Sequence, residues 1–109
     1  MKPEVESKLA ELRKQFGPLR IVETDLDGAE VAAFRVPESA AWSRFRIEHD
    51  SGPAAKVAAI RVLVFANAVY PEKEVFESMV ASRPGLVETY YGEVMEHAGA
   101  NRAKKVRDL

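Results

Sequence analysis

The chain contains no cysteine and only two histidines, His49 and His97, among its 109 residues. The absence of cysteine excludes disulfides, thiolate metal ligands and cysteine nucleophiles, so the fold must be stabilised by side-chain packing. The sequence also lacks a glycine-rich phosphate loop, a His-Glu-x-x-His motif and the spacing of a calcium-binding loop. We therefore expect neither a metal nor a cofactor, and we expect a protein without catalytic activity.

An excess of charge of either sign is also missing, because the formal net charge at neutral pH is −1. Such a balance gives no broad attraction to nucleic acid or to an anionic membrane. The longest apolar run contains Arg61 and is shorter than the roughly 18 residues that a membrane span requires. The N-terminus is charged where a secretory signal would be apolar. These features predict a cytoplasmic globular protein that does not bind membranes, and they argue against nucleic-acid binding by the chain as a whole.

The segment from Pro53 to Tyr70 is the most apolar part of the chain, and Pro71 closes it. From position 57 onwards, its only polar residues are Arg61 and Asn67. The unbroken length and the alanines of this segment favour a helix over a strand. A helix that is apolar on nearly every side must be surrounded by the rest of the chain, so we predict a central core helix over 53–70.

An amphipathic helix is predicted over residues 3–16. Its apolar residues recur at helical spacing, and Gly17 followed by Pro18 ends it; these residues are Val5, Leu9, Leu12 and Phe16. An amphipathic helix needs a surface that covers its apolar stripe. That surface is either the rest of the domain or another chain, and Leu12 and Phe16 are therefore candidate partner-binding residues.

The segment 19–36 contains two β-prone runs separated by Asp27-Gly28. Asp-Gly suits a type I′ turn, which needs positive φ at both central positions, so we predict a β-hairpin over 19–36. An isolated hairpin is marginally stable in water, and a free strand edge can also dock another chain. We expect the apolar hairpin residues to pack partly against helices, namely Ile21, Val31, Phe34 and Val36.

Proline and glycine corners divide the rest of the chain into three further helices, at about 38–50, 72–82 and 86–98. In the second of them, the residues expected on the inner side are Val75, Phe76, Met79 and Val80. The predicted fold class is α+β and mostly α, a single domain over 1–99 with about five helices around the central one and one hairpin. We expect the basic tail, 100–109, to be disordered.

Few polar or aromatic residues suggest a binding role. Glu93 and His97 lie four apart on one helical face, where they can share a metal, but an exposed polar pair near a helix end is the favoured interpretation. Arg44 and Arg46 point away from each other on a helix, so they form no phosphate clamp. Arg44 and Tyr91, the latter lying off its apolar stripe, are retained as candidate partner-binding residues, because arginine and tyrosine are enriched at protein interfaces.

A succession of short motifs extends from Phe34 to Gly99. It consists of Phe34-Arg35-Val36-Pro37, Trp42-Ser43-Arg44-Phe45, Ala68-Val69-Tyr70-Pro71, Phe76, Arg83-Pro84-Gly85-Leu86 and Glu96-His97-Ala98-Gly99. In order and spacing, this succession resembles the phage tail assembly chaperones, small proteins encoded between the tail tube and tape measure genes. The resemblance assigns structural roles to Pro37, Trp42, Phe45, Tyr70, Pro71, Phe76, Pro84, Gly85 and Leu86. The chain departs from the family pattern at Glu38, where the family often has a threonine helix cap. The resemblance does not extend to residues 3–16.

The resemblance implies a non-enzymatic chaperone that coats the tape measure protein and recruits tail tube subunits. It further implies action in the host cytoplasm, often as a homo-oligomer, and absence from the mature virion. Docking of a helix in a groove or of a strand at a sheet edge is compatible with such a role. Two alternatives stay open: a structural virion component, such as a tail-completion or head-to-tail joining protein, and a small nucleic-acid-binding regulator.

Overall fold

The computed structural model describes residues 1–24, 30–100 and 104–109. Within these ranges the chain forms five helices and three strands, in the order α1 (Pro3–Phe16), β1 (Leu19–Thr24), β2 (Glu30–Arg35), α2 (Ser39–His49), α3 (Pro53–Asn67), β3 (Ala68–Tyr70), α4 (Lys73–Ser82) and α5 (Leu86–His97). The predicted fold class, α+β and mostly α, is confirmed. Residues 104–109 are exposed and belong to no helix or strand.

β2 is the middle strand of a three-stranded antiparallel sheet with the order β1-β2-β3. β1 and β2 pair in continuous register, from Leu19 opposite Arg35 to Thr24 opposite Glu30. This pairing confirms the two antiparallel strands predicted within 19–36, whereas the predicted turn at Asp27-Gly28 lies outside the described residues. On its other side, β2 pairs with β3 through Ala33–Tyr70 and Phe34–Ala68, with a register shift between these pairs.

The predicted central helix ends three residues early, at Asn67, and the rest of its segment is β3. Proline at position 71 disfavours helical backbone at Tyr70, which favours an extended conformation there. The side chain of Asn67 is buried, and its Nδ2 donates a hydrogen bond of 2.8 Å to the carbonyl oxygen of Leu63 in the last helical turn. Pairing with β2 then supplies hydrogen-bond partners to the extended backbone of 68–70. The prediction of a helix over 53–70 was therefore wrong for 68–70.

The sheet is a middle layer with apolar side chains packed on both of its faces. On one face, α1 covers a small cluster built around Leu9, Leu12 and Ala33. On the other face, α2, α3, α4 and α5 contribute to the main core with β2; its buried members are Ala32, Phe34, Phe45, Ala59, Leu63, Val64, Phe76, Val80, Leu86, Tyr90 and Val94. Because strand residues alternate between faces, the neighbouring residues Ala33 and Phe34 of β2 pack into different clusters.

Three aromatic rings occupy the centre of the main core. The ring of Phe34 lies 5.9 Å from that of Phe76 and 5.0 Å from that of Tyr90, measured between centroids. Phe76 and Tyr90 are 5.5 Å apart, and Phe65 meets the edge of Phe76 at 5.0 Å. Tilted and edge-on pairs at these distances add about 0.5–1.5 kcal/mol each beyond the burial of area. The aromatic centre therefore joins β2, α3, α4 and α5.

Helix α3 is buried on one side only. Its buried residues are Ala59, Leu63, Val64 and Asn67. Val57 and Val62 are 70% and 60% exposed. The prediction of a helix surrounded on nearly every side was wrong, because α2 and α5 pack against part of its circumference and leave the remainder open.

Val75 was expected on the inner side of α4, but it retains 50% of its accessible surface. Ile21 and Val36, which were expected to pack partly against helices, retain 45% and 39%. Phe34, Phe76 and Val80 do lie in the core as predicted. Helical and strand periodicity give the direction of a side chain, but they do not say how far the neighbouring element extends to cover it.

Candidate partner-binding surfaces

The apolar stripe of α1 is covered by the chain's own sheet. Leu12 is 8% exposed and packs with Leu9 against Ala33. Phe16 is half-buried, and the guanidinium of Arg35 lies 5.3 Å from the centroid of its ring. The sequence allowed either the rest of the domain or another chain to cover this stripe, and in the structure the rest of the domain covers it. The expectation that Leu12 contacts a partner is therefore revised, because its side chain has little free surface in this conformation.

Tyr91 lies at the border of the main core. Its ring is 6.0 Å from Phe45, which is in turn 5.4 Å from Trp42 and 5.3 Å from His49. Partial burial raises the pKa of the Tyr91 hydroxyl above its ordinary value, and the charge of Arg46 opposes this shift. Tyr91 is therefore half-buried, and only part of its side chain is accessible to a partner.

Arg44 is exposed on α2 and lines a shallow groove between α2 and α3 together with Glu48 and Val62. Its neighbour Arg46 points elsewhere, towards Asp50, whose Oδ2 lies 3.9 Å from the Arg46 Nη2. The predicted divergence of the two arginines is therefore present. Of the four candidate partner-binding residues, Arg44 is the one whose side chain is largely accessible.

The residues that the resemblance singled out as structural occupy corners and core positions. Pro37, Phe45, Phe76 and Leu86 are buried, and Trp42, Tyr70 and Pro71 are half-buried. Pro84 and Gly85 are exposed at the corner that precedes α5. Glu38, which replaces the threonine cap, makes no capping hydrogen bond, and its Oε1 instead accepts one of 3.0 Å from Arg35. These residues shape the helix corners and do not meet in a common cleft.

Glu93 and His97 attach α5 to the start of β1. The Arg20 Nη1 donates to Glu93 Oε2 at 3.2 Å and to Glu96 Oε1 at 3.1 Å. His97 Nε2 lies 3.0 Å from the carbonyl oxygen of Pro18 and donates to it. Both side chains of the candidate metal pair are therefore engaged in contacts between elements. Across the described ranges, no group of three or more histidine, aspartate or glutamate residues is placed to hold a metal ion.

The other histidine, His49, lies beside Asp50 at the end of α2. His49 Nδ1 and Asp50 Oδ1 are 3.1 Å apart. The hydrogen bond from His49 lowers the pKa of Asp50 below its usual value; desolvation opposes this shift, and the charges of Arg46, His49 and Lys56 support it. Because this carboxylate is exposed to solvent, the pair contributes little to stability.

A groove between α1 and α4 was not anticipated from the sequence. Its floor is the sheet, and its apolar lining includes Val5, Val31, Tyr70, Val75 and Met79. Glu23, Glu30 and Lys2 also line it, and the volume is about 730 Å³. We call this feature the α1–α4 groove. It is formed by segments far apart in sequence, so no local motif could have revealed it.

None of the helices in the part of the chain that is described combines the length and the apolar character needed to cross a bilayer.

Comparison with family models finds no matching family, and comparison with curated proteins finds no matching relative. Among solved structures, the chain is similar to an uncharacterised protein from Bacillus stearothermophilus. The two share 25% sequence identity and superpose with a TM-score of 0.71, over 91% of this chain and 99% of the other. The likeness therefore extends over nearly the whole architecture described above.

Proposed function

We propose that the protein is a phage or prophage tail assembly chaperone. In this proposal it binds the tape measure protein, recruits tail tube subunits and acts without catalysis in the host cytoplasm. The observation that carries the proposal is the succession of motifs from Phe34 to Gly99, which resembles the pattern of that family in both order and spacing. Homo-oligomers are compatible with this role.

The placement of the motif residues supports the proposal in physical terms. Phe45, Phe76 and Leu86 lie together in the main core, while Pro37 and Pro71 lie at corners that direct the chain into α2 and α4. A fold fixed by these residues leaves the outer surfaces free to vary with the partner. Surfaces of this kind, with a groove, a free strand edge and exposed valines, suit the binding of other polypeptides.

Co-expression with the tape measure protein tests this proposal. That partner is expected to be the very long, helix-rich protein encoded immediately downstream. We expect it to aggregate when produced alone or with an unrelated small protein, and to remain in the supernatant and elute with this protein when both are produced together. If the tape measure protein aggregates equally in all three cultures and no complex elutes, the chaperone proposal is wrong.

A further inference from the structure

β1 is a free edge of the sheet. It pairs with β2 on one side, and on its other side no backbone hydrogen bond joins it to any described residue. Native proteins usually protect such edges with proline, lysine, a bulge or a very short strand. β1 has six residues, contains neither proline nor lysine, and pairs with β2 in continuous register. An unprotected edge of this length can pair with a strand of another chain.

A groove lies between this edge and the neighbouring flank of α1. It is lined on the side of α1 by Glu6, Ala10 and Arg13, and on the side of β1 by Leu19 and Ile21, and its volume is about 440 Å³. We call it the α1–β1 groove. Ile21 is apolar, yet it retains 45% of its accessible surface. A strand added at the edge would cover Ile21, which is favourable in proportion to the apolar area removed from water.

The flank of α1 that lines the groove carries one charge of each sign. Glu6, Ala10 and Arg13 follow one another at spacings of four and three residues, so they lie on one side of the helix. All three are exposed, and neither Glu6 nor Arg13 forms an ion pair within the described residues. This flank is complementary to its own copy when two such helices run antiparallel, because each glutamate then meets the arginine of the other copy.

Antiparallel pairing of two copies of β1 gives the two copies of α1 this orientation. A two-fold axis perpendicular to the sheet places one strand residue opposite its own copy. Ile21 suits that position because it is apolar and exposed, whereas Arg20 would meet a second arginine. α1 and β1 are joined at residues 17–18, and Ile21 and Ala10 each lie about 10 Å from this turn along their elements. An axis at Ile21 therefore passes close to Ala10.

The distances match the lengths of the charged side chains. At 1.5 Å per residue, Glu6 and Arg13 lie about 6 Å and 4.5 Å on opposite sides of Ala10, so Glu6 comes level with Arg13 of the other copy. α1 packs over Ala33 of β2, which separates the two copies of α1 by roughly three strand spacings, about 14 Å. This gap exceeds the usual 8–10 Å between packed helices, and an extended glutamate and arginine can span it.

The main-core face of β1 presents no unpaired charge to the axis. Arg20 lies on that face, and its Nη1 already binds Glu93 and Glu96 of α5 at 3.2 and 3.1 Å. Pairing of the two strands therefore leaves no charge of this group without a partner, which removes an electrostatic cost that would otherwise oppose association.

We propose that the protein forms a symmetric dimer in which β1 pairs antiparallel with β1 of a second copy. In this dimer the two three-stranded sheets become one continuous sheet, and Glu6 of each α1 pairs with Arg13 of the other. The inference concerns the chain by itself, so it goes beyond the chaperone proposal and does not depend on it.

Sedimentation equilibrium of the full chain, over concentrations from about 1 to 500 µM, tests for the dimer. The average mass should rise with concentration from that of one chain towards that of two. Ile21→Asp should weaken association by more than about tenfold, because two like charges would lie opposite each other at the axis. The matched control, Val57→Asp, changes an exposed valine of α3 and should leave association unchanged.

Exchange of the charges on α1 tests its self-complementarity. Glu6→Arg and Arg13→Glu should each weaken the dimer about tenfold at low salt, because both symmetry-related pairs become repulsive. An equimolar mixture of the two variants should associate as the wild type does, since the two arginines of one chain then meet the two glutamates of the other. Both positions are exposed, so circular dichroism should show an unchanged fold.

Disulfide cross-linking locates the axis, because the chain contains no cysteine of its own. Residues directly opposite each other in an antiparallel pair have Cα atoms about 4.5–5.5 Å apart, which suits a disulfide. Ile21→Cys should therefore form a covalent dimer under mild oxidation. Val57→Cys, at the same concentration, should remain largely a single chain.

Three results would each overturn the inference. They are the mass of a single chain at every concentration, a dimer that neither Ile21→Asp nor the charge variants weaken, and equal cross-linking at positions 21 and 57. Since these measurements use the purified chain alone, their failure leaves the chaperone proposal standing. Conversely, a tape measure protein that does not bind would remove the chaperone role and leave the dimer.

Discussion

Tyr90 shows how packing can outweigh a polar group at the scale of one residue. The side chain is fully buried between Phe34 and Phe76, yet its hydroxyl has no hydrogen-bond partner among the described residues. A hydroxyl buried in this way costs about 1–3 kcal/mol, whereas burial of the ring stabilises the core. The ring therefore accounts for the stabilising contribution of Tyr90.

Replacing Tyr90 by phenylalanine should leave the free energy of unfolding at pH 7 unchanged or raise it by about 1 kcal/mol, because a buried hydroxyl without a partner is removed. Urea unfolding of both proteins measures the difference. A loss of more than about 1 kcal/mol would mean that the hydroxyl makes a stabilising hydrogen bond in solution.

The same residue predicts a response to alkaline pH. Burial, and secondarily the charge of Glu30, raises the pKa of Tyr90 above 10.0, so the folded chain keeps a proton that the unfolded chain loses. Stability is therefore unaffected by this group below pH 10 and falls as the pH rises from 10 towards the folded pKa, by up to about 1.4 kcal/mol per pH unit. Tyr90→Phe should show a smaller slope in urea unfolding between about pH 10 and 11. An unchanged slope would contradict the assignment.

At the scale of an element, α1 belongs to the folded domain because the sheet covers its apolar stripe. Leu12→Ala should lower the free energy of unfolding by about 2–4 kcal/mol, through lost burial and the cavity left behind. Gln15→Ala, on the exposed side of the same helix, should change it by less than about 0.5 kcal/mol. Equal, small effects of both substitutions in urea unfolding would mean that α1 does not pack on the sheet in solution.

The attachment of α5 to β1 is electrostatic, so it should depend on salt. Arg20→Met removes the two contacts to Glu93 and Glu96 and should cost about 1 kcal/mol or less at low salt, because all three groups are partly exposed. The loss should shrink in about 1 M NaCl, where screening is strong. Arg44→Met provides the control, since Arg44 forms no ion pair within the described ranges. If the loss of unfolding free energy were independent of salt, the aliphatic part of the Arg20 side chain would stabilise the protein by packing, and the electrostatic explanation would be wrong.

Local sequence signals were sufficient for most element boundaries. Gly17 and Pro18 mark the end of α1, and the spacing of Leu86, Tyr90 and Val94 identifies the buried stripe of α5. Segment 68–70 could not be assigned in this way, because its strand conformation depends on pairing with β2, more than thirty residues earlier in the chain. The apolar character of α3 also did not show that Val57 and Val62 face outwards. The composition of a helix does not say how much of that helix is covered by neighbouring elements.

Surfaces were predicted less well than elements for the same reason. Leu12 was identified as apolar and periodic, but only the tertiary structure shows that Ala33 of β2 lies beneath it. The α1–α4 groove depends on the positions of α1, the sheet and α4 relative to one another, which the sequence pattern does not contain. Arg44 is the exception, because an arginine in the middle of a polar helix face is usually exposed.

At the scale of the whole molecule, the sheet separates two apolar regions. The main core on one face contains most of the motif residues, and the other face carries α1 and the α1–α4 groove. A chaperone acts by binding its partner during assembly and leaving afterwards. A virion component with the same fold would instead remain bound permanently.

Quantitative mass spectrometry of assembling lysates and of purified mature particles tests this central claim most directly. We predict that the protein is abundant in lysates while tails assemble, and that it is absent from mature particles in which the tape measure and tail tube proteins are readily detected. Copies of the protein in mature particles, in fixed ratio to the tail proteins, would contradict the chaperone account and identify a structural component of the virion.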